Sequence, residues 1–192
     1  MQISREKLLT RLSLMEKSVV LLLNGADAAP IHGKTAYQKE LFFVSNYDEK
    51  IGNAADFEPY LYGPHSEVAE NAISTLISYG LAKEQDGYYF LTEEGKQIAS
   101  ILREKRDIDV DEIEDVKEFL NDMTREEIIL FTYVNHPEYT DESQIRDKIL
   151  KKRIPIAISL YKKGKVDLEM AAYLAGVSIE EFFDKIRGGK PV

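Results

Sequence analysis

The sequence contains no cysteine. That excludes a disulfide framework and any thiolate metal site, and it fits a reducing compartment. Histidine is nearly as scarce. His32, His65 and His136 stand in separate segments, and no HxH or HxxxH spacing joins them, so no metal site is expected. Long apolar runs are missing too. Val19 to Leu23, which follows a start of mixed charge, is far too short for a secretory core or a membrane span. A soluble, cytoplasmic chain is therefore expected. A basic surplus is also lacking: 25 Lys and Arg against 34 Asp and Glu leave a net charge of −9. Nucleic-acid binders usually gain affinity by neutralising phosphates, so DNA binding here requires a locally basic face on an acidic body. There is no phosphate-binding loop, no dinucleotide glycine pattern and no Gly-x-Ser-x-Gly elbow. Ser-x-x-Lys occurs at Ser4 to Lys7 and Ser159 to Lys162, without the companion motifs that make it catalytic. Neither an enzyme nor a cofactor is expected.

What is present suits a folded protein of one or two domains. The chain has 192 residues, 44% of them apolar and 31% charged. Ser4 is placed to cap a first helix running to Asn24, with Leu8, Leu12, Met15, Val19, Leu22 and Leu23 on one face and Gly25 as its stop. Thr35-Ala36-Tyr37-Gln38 reads as a capping box opening a second helix. The stretch 46–63, rich in Asn, Asp, Gly and Tyr, reads as a long loop or arm. Tyr60 and Tyr62 in it are expected to pack that loop onto the core. Ser66 caps a third helix from Glu67 to Tyr79, with Val68, Ala72, Ile73, Leu76 and Ile77 inward and Gly80 as a left-handed stop. Asp86-Gly87 marks a two-residue hairpin between Leu81-Ala82-Lys83 and Tyr88-Tyr89-Phe90-Leu91. Thr92 then caps a helix with Ile98, Ile101 and Leu102 inward.

This order predicts a mainly α fold with a small β-hairpin: a winged helix-turn-helix over 1–106. A helical connector over 107–150 follows. It begins with an acidic run from Asp107 to Asp115 and continues through a Thr124-Arg125-Glu126-Glu127 capping box and a short helix capped by Asp141. The last segment, 151–192, reads as a second, small helix-turn-helix. In it Pro155 lies in a first turn, Gly164 and Gly176 end helices, Asp167 caps the next one and Ser178 opens a third capping box. Ala172, four residues before Gly176, leaves room for two helices to cross closely.

Two stretches carry a family likeness. PIHGKTAYQKELFFVSN with YGPHSEVAENAISTLISYGL, and LNDMTREEIILFTYVNHPEYTDES after them, resemble the Panacea-type winged-helix domains of prokaryotic antitoxins and phage-associated proteins. AISLYKKGKVDLEMAAYLAGVSIEEFFDKI resembles a short helical family of prokaryotic antitoxin-like proteins. Its core residues here are Leu160, Tyr161, Gly164, Lys165, Ala171, Ala172, Leu174, Ala175, Gly176, Ser178, Glu181 and Phe182. Asp167 stands where Ser is commoner, and the arm that often precedes this motif is not visible. The likeness implies a regulatory or antitoxin role without catalysis.

The third helix has no Lys or Arg on its outer face, and the hairpin tip reads Glu84-Gln85-Asp86-Gly87. Both oppose groove binding, since Arg and Lys to guanine are the commonest specific contacts. Glu67, Glu70, Asn71, Ser74 and Thr75 are therefore expected to meet a protein partner. Arg146, Lys148, Lys151, Lys152, Arg153, Lys162, Lys163 and Lys165 form the sizeable basic patch, with Asp147 opposing them. The patch reads as a solvated face, as a phosphate-contacting surface, or as the receiver of an acidic partner. The leading expectation is a homodimeric regulator of the antitoxin type that assembles through the winged helix and contacts DNA through the patch. The alternative is an interaction protein that neutralises a toxin-like partner and binds no DNA.

Overall fold

The N-terminal apolar stretch breaks at Ser13, and a capping box makes the break. The computed structural model describes residues 5–188, so the expected Ser4 cap lies outside the described residues. In it the expected single helix is two, α1 (Arg5–Arg11) and α2 (Leu14–Ala28). The Ser13 hydroxyl accepts from the Glu16 N–H at 3.2 Å, and the Glu16 carboxylate accepts from the Ser13 N–H at 2.7 Å. Regular helix stops at Gly25, as expected; Ala26 and Asp27 then turn to positive φ. Val19 to Leu23 are all buried. A helix this apolar all round belongs at the centre, where neighbours cover every side.

The chain is mainly helical with a small three-stranded antiparallel sheet, and it divides into two units. Unit 1 takes in the described residues up to Glu58 together with Pro64–Asn121. Unit 2 takes in Pro59–Gly63 and the described residues from Asp122 on. The segment 107–150 is shared, 107–121 falling in unit 1 and 122–150 in unit 2.

In unit 1, β1 (Ile31–His32) leads into α3 (Gly33–Tyr47). This helix opens two residues before Thr35, with His32 in the cap position, so the expected capping box does not start it. The expected loop contains a helix, α4 (Glu49–Ala55). Its cap is the Asp48 carboxylate, which accepts from the N–H groups of Lys50 and Ile51. Ser66 caps α5 (Glu67–Ser78) by accepting from the Ala69 N–H. Ala69, Ala72, Ile73 and Leu76 form the buried stripe, whereas Val68 and Ile77, expected inward, are 41% and 37% exposed. The phase explains it: 69, 72, 73 and 76 keep the 0, 3, 4, 7 spacing of one face, and 68 and 77 flank it.

The hairpin forms as read. Strands β2 (Ala82–Gln85) and β3 (Tyr88–Leu91) are joined by Asp86 and Gly87, both at positive φ, and β1 pairs with the other edge of β3. Thr92 caps α6 (Glu93–Lys105), accepting from the Gly95 N–H while donating to the Gly80 carbonyl at 2.6 Å. Ile98 and Leu102 are buried beneath α6 and Ile101 is half-buried. A Cβ on residue 95 would stand 2.0 Å from the Leu81 carbonyl oxygen. The glycine of Leu-Thr-x-x-Gly thus lets the first turn of α6 press against the start of the hairpin. Asp109 caps α7 (Val110–Leu120), which brings Lys117 to Glu40 of α3 at 2.9 Å.

Unit 2 is built from α8 (Arg125–Asn135), a single 3-10 turn (Pro137–Tyr139), α9 (Arg146–Lys151), α10 (Arg153–Lys162), α11 (Leu168–Ala175) and α12 (Ile179–Gly188). The Thr124–Glu127 capping box is complete in both directions. Asp141 does not cap: α9 begins at Arg146, because a turn through Thr140 and Ser143 occupies the intervening residues. Gly164 and Gly176 take left-handed φ at the ends of α10 and α11. Leu130, Ala157, Leu160, Ala171, Leu174 and Phe182 meet in the core, where the alanines permit close packing of α10 on α11. Tyr60 and Tyr62 are exposed rather than packed, and the Arg125 guanidinium lies 5.0 Å from the Tyr62 ring centre. No described helix is long and apolar enough to cross a membrane.

Candidate functional site

Four consecutive residues of α3 shape the ground under α5. Tyr37, Gln38, Lys39 and Glu40 are all buried, and each holds a different neighbour. The Tyr37 hydroxyl donates to the Ala69 carbonyl at 2.7 Å. The Gln38 side chain bonds both backbone groups of Ser66, at 2.9 and 3.0 Å. Lys39 Nζ donates to the Pro64 carbonyl at 2.7 Å, and Glu40 meets Lys117. Buried polar groups are tolerated when satisfied in this way. The result is a fixed position for α5 relative to α3.

Between α3, α5 and the hairpin lies a cavity of about 250 Å³. Lys34, Tyr37, Gln38, His65, Glu70, Ile73, Ser74, Ile77, Glu84 and Tyr89 line it. Glu70 is its electrostatic hub. Lys34 donates to one of its oxygens, and His65 Nε2 lies 3.2 Å from the other. Those two hydrogen bonds, Lys34 first, hold the Glu70 pKa below its ordinary value. The charge of Glu84 acts on Lys34 and Tyr89, but its carboxylate makes no hydrogen bond or ion pair among the described residues. The Tyr89 phenol, on a residue only 3% exposed, has no hydrogen-bond partner among them either. Burial first, then the charge of Glu84, pushes its pKa up. Burial pushes the Tyr37 hydroxyl up further.

Of the five residues expected to meet a partner, Glu70 and Ser74 line this cavity. Glu67, Asn71 and Ser74 are exposed along the outside of α5, and Thr75 is half-buried. Sequence reasoning missed Lys34, His65, Glu84 and Tyr89 as members of one site. Ile77, read as core, is part of its wall. The readable signal is Tyr37-Gln38-Lys39-Glu40, too polar for a helix interior unless each member has a buried partner.

The basic residues of unit 2 do not act as one set. Arg153 donates from Nε to the Leu174 carbonyl at 2.7 Å and from Nη2 to the Tyr173 carbonyl at 3.0 Å. It satisfies the carbonyl end of α11. Lys163 reaches the Glu127 carboxylate and the Asp122 carbonyl, both at 2.7 Å, and Lys152 pairs with Glu126 at 2.8 Å. Lys165 is half-buried. Arg146, Lys148, Lys151 and Lys162 are exposed and make no ion pair among the described residues. On α12, Glu180, Glu181 and Asp184 outnumber Lys185 and Arg187.

Among the described residues no group of three or more His, Asp or Glu is placed to hold a metal ion. Compared with family models, with curated proteins and with solved structures, the chain finds no match.

Proposed function

We propose that this chain is a non-catalytic regulatory protein of the antitoxin type, cytoplasmic and homodimeric, whose unit 1 captures a protein partner. In this reading unit 1 is a winged helix. The order α3, α5, hairpin, α6 supports it, with β1 as the third strand and α5 in the place of the recognition helix. One observation carries the choice of a protein over DNA. The outer side of α5 offers Glu67, Asn71 and Ser74 beside exposed Val68 and Ile77, with no cation, and it opens onto the cavity edged by Glu84. Phosphates would meet like charge there. A mixed polar and apolar rim beside a pocket suits a protein surface.

The test is capture of the partner from cells that express the chain with its native neighbours. Wild type retains a stoichiometric partner, and N71R/S74R, which fills and recharges the outer side of α5, loses it. Retention by N71R/S74R would remove α5 from the interface.

A second reading rests on Arg146, Lys148, Lys151 and Lys162, the exposed cations of the basic patch that make no ion pair among the described residues. If these contact phosphates, the protein binds duplex DNA with a slope of about −3 to −4 in log K against log salt. Replacing all four by Ala abolishes that binding. Fluorescence anisotropy on the upstream DNA of its own gene and on a random duplex, at low and physiological salt, decides it. Absence of binding at low salt eliminates this reading.

A further inference from the structure

We propose that the unit 1 cavity is an arginine pocket, taking the guanidinium of one side chain of a protein partner against Glu84 and Tyr89, with its methylene stem along Ile73 and Ile77. This deepens, and rests on, the reading that unit 1 captures a protein.

Charge sets the sign of the ligand. Lys34, Glu70 and Glu84 line the cavity. Lys34 is ion-paired with Glu70, which His65 also faces. Glu84 acts on Lys34 only through its field, so Glu84 is the carboxylate of the cavity that no cation among the described residues contacts directly. Hydrogen-bonding capacity sets the chemistry. The Tyr37 hydroxyl commits its proton to the Ala69 carbonyl, and the Gln38 amide holds both backbone groups of Ser66. The Tyr89 phenol is not spent, although it lies within the fields of Glu84, Lys34 and Glu70. The Tyr89 phenol oxygen opens onto the cavity without a hydrogen-bond partner among the described residues, so its lone pairs are available to a bound donor. Glu84 and Tyr89 are cross-strand partners of β2 and β3, two acceptors side by side on the hairpin wall. A guanidinium, with several N–H groups in one plane, serves both at once, whereas an ammonium is a compact point charge.

Size and shape agree. About 250 Å³ lies below the ~300–1,000 Å³ of most small-molecule sites, so one side chain fits better than a cofactor. Ile73 and Ile77 are one helical turn apart on α5 and offer an apolar strip. An arginine stem buries itself along such a strip while its head stays polar. Aromatic and arginine anchors in pockets carry much of the energy of protein interfaces.

The experiment is an NMR-monitored titration of the full chain with N-acetyl-L-arginine methylamide. The lysine, norleucine and glutamate derivatives are titrated in parallel. The expected result is saturable shifts at the amides of Ile73, Ile77, Glu84 and Tyr89 with the arginine probe. E84Q keeps an acceptor oxygen but removes the charge, and it weakens that response by about fivefold to tenfold; Y89F weakens it less. Unchanged thermal melting of both variants excludes a folding effect. An equal response to lysine overturns the guanidinium assignment. A response to glutamate, or none in the cavity, overturns the pocket. The two readings fail separately. Loss of partner capture by N71R/S74R with no arginine response keeps the interface and discards the pocket. An arginine response with capture intact in N71R/S74R shows a guanidinium site that the partner does not use, and overturns the proposal.

Discussion

The guanidinium of Arg153 fills the space beside Gly176: a Cβ on residue 176 would stand 2.3 Å from its Nη1. Arg153 cannot swing away without releasing the carbonyls of Leu174 and Tyr173, and residue 176 sits at φ +69°. G176A is therefore expected to lose about 2 kcal/mol in urea unfolding, from left-handed strain together with the displaced hydrogen bonds. R153A/G176A should lose less than the sum of the single changes, because removing the guanidinium removes the clash. Strict additivity would show that the two residues do not press on each other.

Gly95 is tighter still, since the atom opposing its missing Cβ is the backbone oxygen of Leu81. Backbone at that point is held by the Thr92 N–H at 3.0 Å and cannot retreat alone. G95A should cost about 3 kcal/mol or more, or leave unit 1 unfolded. G80A, where nothing stands within 4 Å and only φ is unfavourable, should cost about 1 kcal/mol. Equal costs for the two would refute the close approach.

Lys117 and Glu40 are 1% and 5% exposed. Burial raises the Glu40 pKa against the opposing pull of Lys117. Removing one partner leaves a charge without compensation, so K117M should destabilise the protein by about 3–5 kcal/mol. E40M/K117M should recover most of that loss, since two apolar side chains replace the pair. Chemical denaturation of the two variants measures both terms.

Glu127 couples unit 2 to pH. Burial works against its carboxylate, but hydrogen bonds from Lys163, Ser159 and Thr124 outweigh burial and hold its pKa below 4.5. A carboxyl lowered by folding contributes stability above its unfolded pKa, and that contribution disappears as pH falls through the folded value. The stability difference between wild type and E127Q should therefore be largest near neutrality and shrink below about pH 4.5. Urea midpoints measured from pH 7 to pH 3 test this; a difference constant with pH would show that the pair is not coupled to folding.

Much of the fold was legible because caps and turns are local chemistry. Ser66, Thr92, Thr124 and Asp167 each accept from an N–H three residues on, and Asp86-Gly87 supplies two left-handed residues in succession. Where the reading failed, another local signal competed or a distant partner intervened. Ser13 and Glu16 form a capping box inside an apolar stretch that reads as continuous. Asp48 starts a helix in a segment whose Asn, Asp and Gly suggest a loop. Val68 and Ile77 are apolar, yet the alanines at 69 and 72 take the inward stripe, because close packing on α3 and α2 favours small residues there.

The candidate sites divide along the same line. The absence of cations from α5 and the hairpin tip is a property of sequence alone. The spending of the basic patch is not, because Arg153 finds its partners 20 and 21 residues away and Lys163 finds its own 36 and 41 away. The order of residues thus determined where helices start, stop and turn, since those contacts reach about one helical turn. Only the tertiary structure decided which charges are free, which phenol lacks a partner and which apolar residues line a cavity. Each of those depends on what another segment brings within hydrogen-bonding distance.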